Sequence, residues 1–295
     1  MFEKFEKINI KVTLLAALLL LLFLNVFLYS LLYEKEKSLL KVTFLNVGQG
    51  DAILIETPSG HRALLDAGPS GAALLRSLSE ELYFWQRDFD FALATHADKD
   101  HIGGFIDFFK YYKVQNVYEP GLLSGKKSEL SESLLLNLAR LKEKGVKALK
   151  LKRGDLIDFG DGVYILVLFP PAALSSKDSN KSSLVVKLIY GKTSFLLTGD
   201  LPQKEEKLLA FFDRSLLQSN VLKLGHHGSY TSSAEEFLRF VKPEYAVVSA
   251  GKDNSYGHPH REVIERVQSV GAKLLYTWDG SVRFLSDGEK LYLEK

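Results

Sequence analysis

An apolar segment near the start of the chain restricts most strongly what the chain can fold into. Residues Val12–Tyr33 form a run of 22 residues without a charged side chain. As a helix that rises about 1.5 Å per residue, this run would be about 33 Å long, which is enough to cross a hydrocarbon core about 30 Å thick. We therefore expect an uncleaved membrane anchor at residues 12–33, between a short tail at residues 1–11 and a linker at residues 34–40.

Two other kinds of segment share this apolar character: a cleaved signal peptide and a helix buried in a soluble core. The apolar part of a signal peptide is usually about 7–15 residues long and is followed by small residues. The run here is longer and ends in Tyr29-Ser30-Leu31-Leu32-Tyr33, which favours an anchor.

The lysines that flank the run, which bear on its orientation in the membrane, are equal in number: Lys4, Lys7 and Lys11 lie before the run and Lys35, Lys37 and Lys41 after it. The short N-terminal tail and the free amino group favour an N-terminus inside the cell and a domain outside the cytoplasm.

The composition excludes several kinds of protein. The chain has 295 residues, of which 46% are hydrophobic and 25% are charged, which excludes a disordered or collagen-like chain. It has no cysteine, so disulfides, thiolate zinc sites and cysteine nucleophiles are excluded, and any metal must be held by His, Asp or Glu. Residues 41–295 carry 33 basic and 32 acidic side chains. A wholly basic nucleic-acid-binding surface is therefore excluded, although a local basic groove is not.

Beyond residue 40 the sequence shows neither a repeat nor a long Pro/Gly-rich linker, which predicts one domain over residues 41–295. Short apolar runs bounded by turn residues predict strands at Val42–Val47, Ala52–Glu56, Ala63–Leu65, Phe89–Ala94, Val163–Phe169, Leu184–Tyr190, Ser194–Leu197, Val221–Leu224, Tyr245–Ser249, Lys273–Tyr276 and Val282–Leu285. Apolar residues spaced three and four apart predict helices at Ala72–Leu82, Ile102–Tyr112, Ser128–Lys144, Lys204–Phe212, Ala234–Val241 and Arg261–Val270. This order indicates two packed sheets with helices outside, in an α/β or α+β fold.

The strongest chemical motif follows the predicted strand Phe89–Ala94. It reads Thr95-His96-Ala97-Asp98-Lys99-Asp100-His101-Ile102-Gly103-Gly104. Four possible metal ligands lie within six residues, between an apolar strand and a helix start. Such a loop can turn alternate side chains inward, so we expect His96, Asp98 and Asp100 to converge while His101 lies at the helix start. The alternative is a solvated acidic turn that contains incidental histidines.

Two further predicted strands end in polar residues. One ends in Thr198-Gly199-Asp200, which is a weak signal alone because Gly-Asp is an ordinary turn pair. The other ends in Gly225-His226-His227-Gly228-Ser229, where the glycines let other groups approach the backbone closely. Adjacent side chains of an extended chain point in opposite directions. We therefore expect one of His226 and His227 to bind a metal and the other to contact substrate or support the site.

Together these motifs resemble a metallo-β-lactamase-like domain, and more narrowly the C-terminal domain of the ComEC family of competence DNA-uptake proteins. The resemblance covers about residues 41–290 and rests on motifs in the family's order: Asn46–Asp51, Leu65–Gly68, His96–Gly104, Asn180–Val185, Thr198–Asp200, His226–Ser229 and Asn254–Pro259. It implies an αββα sandwich, here preceded by one transmembrane helix, with a two-metal hydrolytic site along one sheet edge.

The resemblance also implies a role for individual residues. His96 and Asp98 would hold the first metal, Asp100, His101 and one histidine of the His226/His227 pair the second, and Asp200 would bridge both. Asp66 would support the site from outside, and we assign Asp51 to the same role. We choose His226 as the ligand and expect Asp100, His227 and His258 to be catalytic. The candidate substrate contacts are Lys223, Ser229, Asn254 and Asn180; simpler roles stay open for Lys223 as a strand-end charge, Asn254 as a turn residue and His258 as a packing residue.

The chain departs from the wider superfamily in two ways. Asp98 occupies the position of a second histidine, and residues 102–199 contain no histidine that would supply a further ligand. Asp178, Asn180 or solvent would fill that place. A site with three oxygen and three nitrogen ligands makes Mn²⁺ a competitor to Zn²⁺. The missing ligand argues against β-lactam hydrolysis.

Three functions follow from these observations. A pair of metal ions about 3.5–4 Å apart suits attack on a phosphodiester, so the first is a membrane-anchored, metal-dependent nuclease, for which the resemblance implies DNA during uptake as the substrate. A single helix cannot form a pore, so this function calls for a separate channel protein. The second is an extracytoplasmic hydrolase of envelope phosphodiesters or lactones. The third is a binding module without enzymatic activity.

Overall fold

The computed structural model describes residues 10–37, 39–119, 129–171 and 178–294. Most of the predicted N-terminal tail, residue 38 of the predicted linker and the predicted helix start at Ser128 lie outside these residues. The predicted anchor lies within a helix, α1, that spans Ile10–Lys37. Within it, Val12–Ser30 has a mean hydropathy of 2.6 and is long and apolar enough to cross a membrane.

The described residues of the domain form strands and short helices in an order close to the predicted one. The strands are β1 (Leu40–Phe44), β2 (Ile53–Glu56), β3 (Arg62–Leu65), β4 (Asp88–Leu93), β5 (Lys113–Glu119), β6 (Lys147–Lys150), β7 (Leu156–Asp158), β8 (Val163–Phe169), β9 (Val185–Tyr190), β10 (Thr193–Leu197), β11 (Val221–Lys223), β12 (Tyr245–Val248), β13 (Lys273–Tyr276), β14 (Val282–Ser286) and β15 (Leu291–Glu294). The helices are α2 (Gly71–Glu81), α3 (Lys99–Ile102), α4 (Phe105–Tyr111), α5 (Glu129–Glu143), α6 (Gln203–Phe212), α7 (Arg214–Leu217), α8 (Glu235–Val241) and α9 (Arg261–Ser269).

These strands form two sheets that pack face to face. The first has the order β15-β14-β1-β2-β3-β4-β5-β6, and the second has the order β13-β12-β11-β10-β9-β8-β7. A central apolar cluster, which includes Phe44, Phe91, Phe195 and Phe284, fills the space between them. Two outer clusters bury the apolar faces of α2, α4 and α5 against the first sheet and of α6, α8 and α9 against the second. The predicted αββα architecture is therefore confirmed.

Strand direction gives this sandwich two chemically different ends. β3, β4 and β5 are parallel to one another, as are β10, β11, β12 and β13. The carboxyl ends of these strands therefore lead into loops at one end, which holds the His96, Asp200 and His226-His227 motifs. The amino ends of the same strands, and the start of β1 at Leu40, lie at the other end.

The predicted helix Ile102–Tyr112 is wrong in one respect, because it is two helices, α3 and α4, interrupted at Gly103-Gly104. A Cβ atom on Gly103 would lie 2.2 Å from the Pro69 carbonyl oxygen, and one on Gly104 would lie 2.1 Å from that of Ala67. Only glycine permits this close approach of two backbones. The approach holds the His96–His101 loop against the segment after β3.

Candidate metal centre

The predicted ligands meet at the carboxyl ends of strands from both sheets. His96 and His101 follow β4 in the first sheet, and Asp200 and the His226-His227 pair follow β10 and β11 in the second. A hydrogen bond from the Leu184 amide to the Thr95 carbonyl oxygen, 2.8 Å long, joins the two sheets beside the site. The candidate centre therefore lies across the top of the sandwich, where both sheets contribute side chains.

The carboxylate of Asp200 is the centre of this group. Its Oδ1 lies 3.3 Å from Nε2 of His101, and its Oδ2 lies 3.8 Å from Nε2 of His96. On the other side, Oδ2 lies 3.6 Å from Nε2 of His227 and 3.8 Å from Nε2 of His226. Four imidazoles from two sheets thus direct the same ring nitrogen at one buried carboxylate, which is an arrangement able to hold metal ions on either side of it.

Each of the buried imidazoles is oriented by a partner on its other ring nitrogen. Nδ1 of His101 lies 2.7 Å from the Asp66 carboxylate, and Nδ1 of His227 donates to the Ser249 carbonyl oxygen at 2.8 Å. The Thr95 hydroxyl donates to Asp66 at 2.7 Å, so it accepts from Nδ1 of His96, which lies 3.0 Å away. Such partners leave Nε2 facing inward, as a ligating histidine requires.

Asp66 has the supporting geometry that the resemblance implies. Its φ of 55° turns the side chain back under the loop, where its two oxygens accept from the backbone amide and the hydroxyl of Thr95. Thr95 itself was not among the predicted site residues, although it is the first residue of the predicted Thr95–Gly104 motif. Ser249, at the end of β12, was also missed, because it contributes only its backbone carbonyl and no side-chain pattern marks it.

Asp51 lies deeper in the site than its predicted supporting role requires. Ligand atoms of Asp51, His101, Asp200 and His227 all lie within 4.8 Å of one another, and all four residues are buried. Asp51 Oδ1 is buried without a hydrogen-bond partner among the described residues. Nε2 of His96 and of His101 are in the same condition. Buried polar atoms without partners are costly, so this donor set fits divalent ions that would bind those atoms.

The charges of these residues also fit a cation. Burial works against ionisation of Asp200, but His227, His101 and Lys223 hold its pKa well below the usual range. Burial and the neighbouring His101 lower the pKa of His96 to about 3, so its imidazole is neutral. Burial also lowers the pKa of His227, but the carboxylates of Asp200, Asp100 and Asp51 outweigh this effect and raise the pKa to about 9. A dication would take the place of that proton, because a ligating imidazole must be neutral.

The structure argues against the predicted phosphate contact of Lys223. Its side chain is only 1% exposed, and its ammonium contacts the Asp51 carboxylate and lies 3.5 Å from Asp200 Oδ1. It also donates to the Gly199 carbonyl oxygen at 2.9 Å. Burial lowers the pKa of Lys223, but Asp51 and Asp200 raise it further, so the ammonium stays charged. Lys223 therefore lies beneath the carboxylates and offsets their charge, out of a substrate's reach.

The other predicted substrate contacts hold the loops around the site. The Asn254 amide bonds the backbone of Gly251 and of His258, and the buried Ser229 hydroxyl lies 3.0 Å from that of Thr231. Asn180 follows Ser179, whose hydroxyl donates to Asp98 Oδ1 at 2.6 Å. These contacts favour the simpler role for Asn254 and place Ser229 and Asn180 in loops beside the site.

The mouth of the site contains the more exposed residues. The side chains of Asp98, Asp100 and His226 are 27%, 33% and 30% exposed. His258 borders them, with its ring centroid 5.6 Å from that of His226. Burial and the nearby His227 and His226 lower the pKa of His258 to about 4, so its ring is neutral. Its Nδ1 is buried and has no hydrogen-bond partner among the described residues.

A buried glutamate that sequence reasoning missed clamps the loop at residues 229–234, which follows the His226-His227 pair. Glu206, in α6, accepts from the backbone amides of Ser233 at 2.8 Å and Ala234 at 2.7 Å. Arg266 donates to the carbonyl oxygens of Ser232 and Ser233 from the other side. The periodicity of α6 marks Glu206 only as a helix position, so no sequence signal distinguishes it from the exposed glutamates.

Replacement of Glu206 by Ala should lower the free energy of unfolding by at least about 2 kcal/mol, because two buried amides lose their acceptor. Chemical denaturation of the chelated chain measures this effect. The matched control is Glu235→Ala, in the neighbouring helix, whose side chain is 57% exposed and should change stability by less than about 0.5 kcal/mol. Equal stabilities for the two variants would contradict the clamp.

Comparison with known proteins agrees with this fold. The family model described as the metallo-beta-lactamase superfamily matches residues 45–252. The chain is 31% identical over 262 residues to ComE operon protein 3 of Bacillus subtilis and 34% identical over 244 residues to Competence protein ComA of Neisseria gonorrhoeae. These alignments cover 83% and 82% of this chain but 33% and 32% of the relatives. The chain therefore spans about a third of the length of the curated relatives it matches.

A solved structure gives the same fold at lower identity. CmlA, a diiron β-hydroxylase from Streptomyces venezuelae, superimposes with a TM-score of 0.55 at 14% identity, over 83% of this chain and 54% of that one. At this identity the likeness shows the fold alone. The chain belongs to the metallo-β-lactamase superfamily, and its domain is of the type found in the ComEC family of competence proteins.

Proposed function

We propose that this chain is a membrane-anchored, metal-dependent phosphodiesterase that cleaves single-stranded DNA. The observation that carries the proposal is the convergence of four imidazole Nε2 atoms on the buried Asp200 carboxylate, at a mouth lined by Asp98 and Asp100. Two divalent ions, Zn²⁺ or Mn²⁺, held there would supply Lewis acidity toward a phosphoryl oxygen and would lower the pKa of water. Similarity to competence proteins supports DNA as the substrate.

The roles of the individual residues follow from their burial. We propose that His96 and Asp98 would hold one ion, that His101, Asp100 and His227 would hold the other, and that Asp200 would contribute to both. Beneath these residues, the Lys223 ammonium pairs with Asp51 and offsets the negative charge of Asp51 and Asp200. His226 is exposed at the mouth and takes the substrate-facing role first expected for His227. His258 keeps its predicted catalytic role, and its neutral ring borders the mouth beside His226.

The exchange of roles between the two adjacent histidines is testable by metal content. His227→Ala should lose about one divalent ion per chain, because a buried donor with a fixed tautomer is removed. His226→Ala should keep its metal and lose turnover. Elemental analysis of the two purified variants measures this. Loss of metal from His226→Ala alone would restore the original assignment of His226 as the ligand.

Two exposed tyrosines at the mouth support a substrate with bases. Tyr256 stacks on His258 with ring centroids 5.6 Å apart, and Tyr230 packs edge-on against His260 at 5.0 Å. Their side chains are 65% and 60% exposed, as aromatic platforms for single-stranded nucleic acid are. Either tyrosine replaced by Ala should raise KM for a single-stranded oligonucleotide by roughly 5- to 150-fold, which corresponds to about 1–3 kcal/mol per stacked base. Hydrolysis of methyl p-nitrophenyl phosphate should be unchanged, and an equal loss on both substrates would contradict stacking.

The activity itself is tested with chelated full-length chain in detergent, to which single metals are returned. Mn²⁺ or Zn²⁺ should restore cleavage of a labelled single-stranded oligonucleotide. Preference for teichoic-acid fragments or lactones over DNA would support the envelope hydrolase, and metal binding without any hydrolysis would support a binding module.

We further propose that α1 anchors the chain, because Val12–Ser30 is long and apolar enough to span a bilayer. We also propose that the domain lies outside the cytoplasm. Carbonate-washed membranes should retain the full chain, and protease added to intact cells with a permeable envelope should digest the domain. Protection of the domain under those conditions would reverse the proposed orientation.

A further inference from the structure

We propose that the end of the domain opposite the metal centre is a lipid-contacting surface, and that the loop Tyr83-Phe84-Trp85 enters the headgroup region of the bilayer. This aromatic loop joins α2 to β4. The inference rests on the proposed anchor and is independent of hydrolysis. It gives the domain one orientation on the membrane, with the metal centre facing away from the lipid.

The aromatic loop exposes all three of its rings. Tyr83, Phe84 and Trp85 are 49%, 76% and 56% exposed. Tyr83 and Trp85 stack with centroids 4.7 Å apart, and Phe84 packs edge-on against Trp85 at 4.8 Å. The three rings thus form one preformed cluster at the surface. Tyrosine and tryptophan with an apolar body and a polar atom are enriched where a protein meets the headgroup layer of a membrane.

The aromatic loop lies beside the place where the chain enters the domain. Glu81, the last residue of α2, pairs with Lys41, the second residue of β1, at 3.5 Å. Tyr83 is two residues beyond Glu81. Only residues 38 and 39 separate α1 from β1, and three Cα steps of about 3.8 Å cover no more than about 11 Å. A helix that crosses the bilayer therefore holds this end of the sandwich close to the headgroups.

Cations next to the aromatic loop complement anionic lipid. Arg87 is exposed and lies over the Tyr112 ring, 5.1 Å from its centroid. Lys113 is exposed and donates its backbone amide to the Arg87 carbonyl oxygen. Lys110, which pairs with Asp107, and Tyr111 are 59% and 58% exposed at the end of α4. Basic and aromatic side chains on one surface are the combination that anionic headgroups attract.

The two tryptophans of the chain provide a matched pair of probes. Trp85 follows α2 at the proposed lipid end, and Trp278 follows β13, whose carboxyl end lies at the metal-centre end. Full-length Trp278→Phe and Trp85→Phe each retain a single tryptophan. Both variants are reconstituted into vesicles that contain anionic lipid and either ordinary lipid or lipid brominated near the headgroup, which quenches tryptophan on contact.

We expect both variants to float with the vesicles. Brominated lipid should remove about half or more of the Trp85 emission and almost none of the Trp278 emission. Phe84→Asp in the Trp278→Phe background should reduce that quenching at least about twofold, because a charged side chain resists entry into the apolar layer. Phe84 is 76% exposed, so its replacement leaves the core intact.

Three outcomes would overturn the inference. Flotation with equal emission in the two kinds of vesicle would show an anchored chain whose aromatic loop stays in water. Failure to float would remove the anchor and the inference together, while cleavage of DNA by the same sample would show that the hydrolase survives. Protection of Trp85 by an added single-stranded oligonucleotide, in place of lipid quenching, would identify the surface as a nucleic-acid contact.

Discussion

Asp200→Asn should reduce phosphodiester cleavage by at least about 10²–10³-fold, the range seen when a preorganised electrostatic group is lost. Asparagine keeps the shape and volume of the side chain but removes the negative charge between the two proposed metal positions. Repulsion between two dications would then be less compensated, so at least one position should empty. Single-turnover cleavage and elemental analysis of the same preparation measure the two effects.

His61→Ala is the control for Asp200→Asn. His61 pairs with Asp90 through Nδ1 at 2.9 Å, and 43% of its side chain is exposed. It lies in the turn between β2 and β3, at the end away from the metal centre. Its loss should therefore leave turnover nearly unchanged. An Asp200→Asn variant that keeps both metals and the activity of the parent would show that Asp200 does not hold the two ions.

Lys223→Met should lower the free energy of unfolding by about 3–5 kcal/mol, because it removes the buried ammonium that pairs with the Asp51 and Asp200 carboxylates. For a domain of this size the corresponding fall in Tm is roughly 6–20 °C. Methionine keeps most of the length and apolar stem of the lysine. Thermal unfolding of the chelated chain, followed by fluorescence, measures the change without a contribution from bound metal.

The matched control for Lys223→Met is Lys192→Met. Lys192 also pairs with a carboxylate, that of Glu289 at 2.6 Å, but its side chain is 74% exposed. Surface pairs of this kind contribute little, so its Tm should equal that of the parent. A Lys223→Met chain as stable as the parent would mean that the two aspartates do not depend on the buried ammonium.

The sequence indicated which residues meet at the candidate centre better than how deeply each of them is buried. His96, His101 and Asp200 meet as the strand-end motifs indicated, because parallel strands deliver their carboxyl ends to one edge. Burial was not readable. Lys223 stands at the end of a strand, where a lysine is usually solvated, and only the tertiary fold places Asp51 against it. Asp51 lies in the donor group for the same reason, since it comes from a loop distant in sequence from the other candidate ligands.

The orientation of the His226-His227 pair could not be derived from the sequence. We assumed an extended chain, in which neighbouring side chains point to opposite faces. Both residues instead have positive φ, 48° and 55°, so the alternation of a strand does not apply. All that the flanking glycines indicated was an unusual backbone. The strands β6, β7 and β15 were also missed, because they lie at sheet edges, where polar residues are tolerated. The strand β5 was missed because Gln115 and Asn116 interrupt its apolar residues.

The anomalous scattering of crystals soaked in Mn²⁺ or Zn²⁺, recorded on either side of the metal absorption edge, would locate the ions themselves. We expect two anomalous peaks beside the Asp200 carboxylate, about 3.5–4 Å apart, one next to His96 and Asp98 and the other next to His101 and His227. No peak at Asp200, or a single ion bound elsewhere on the chain, would contradict a two-metal hydrolase centre.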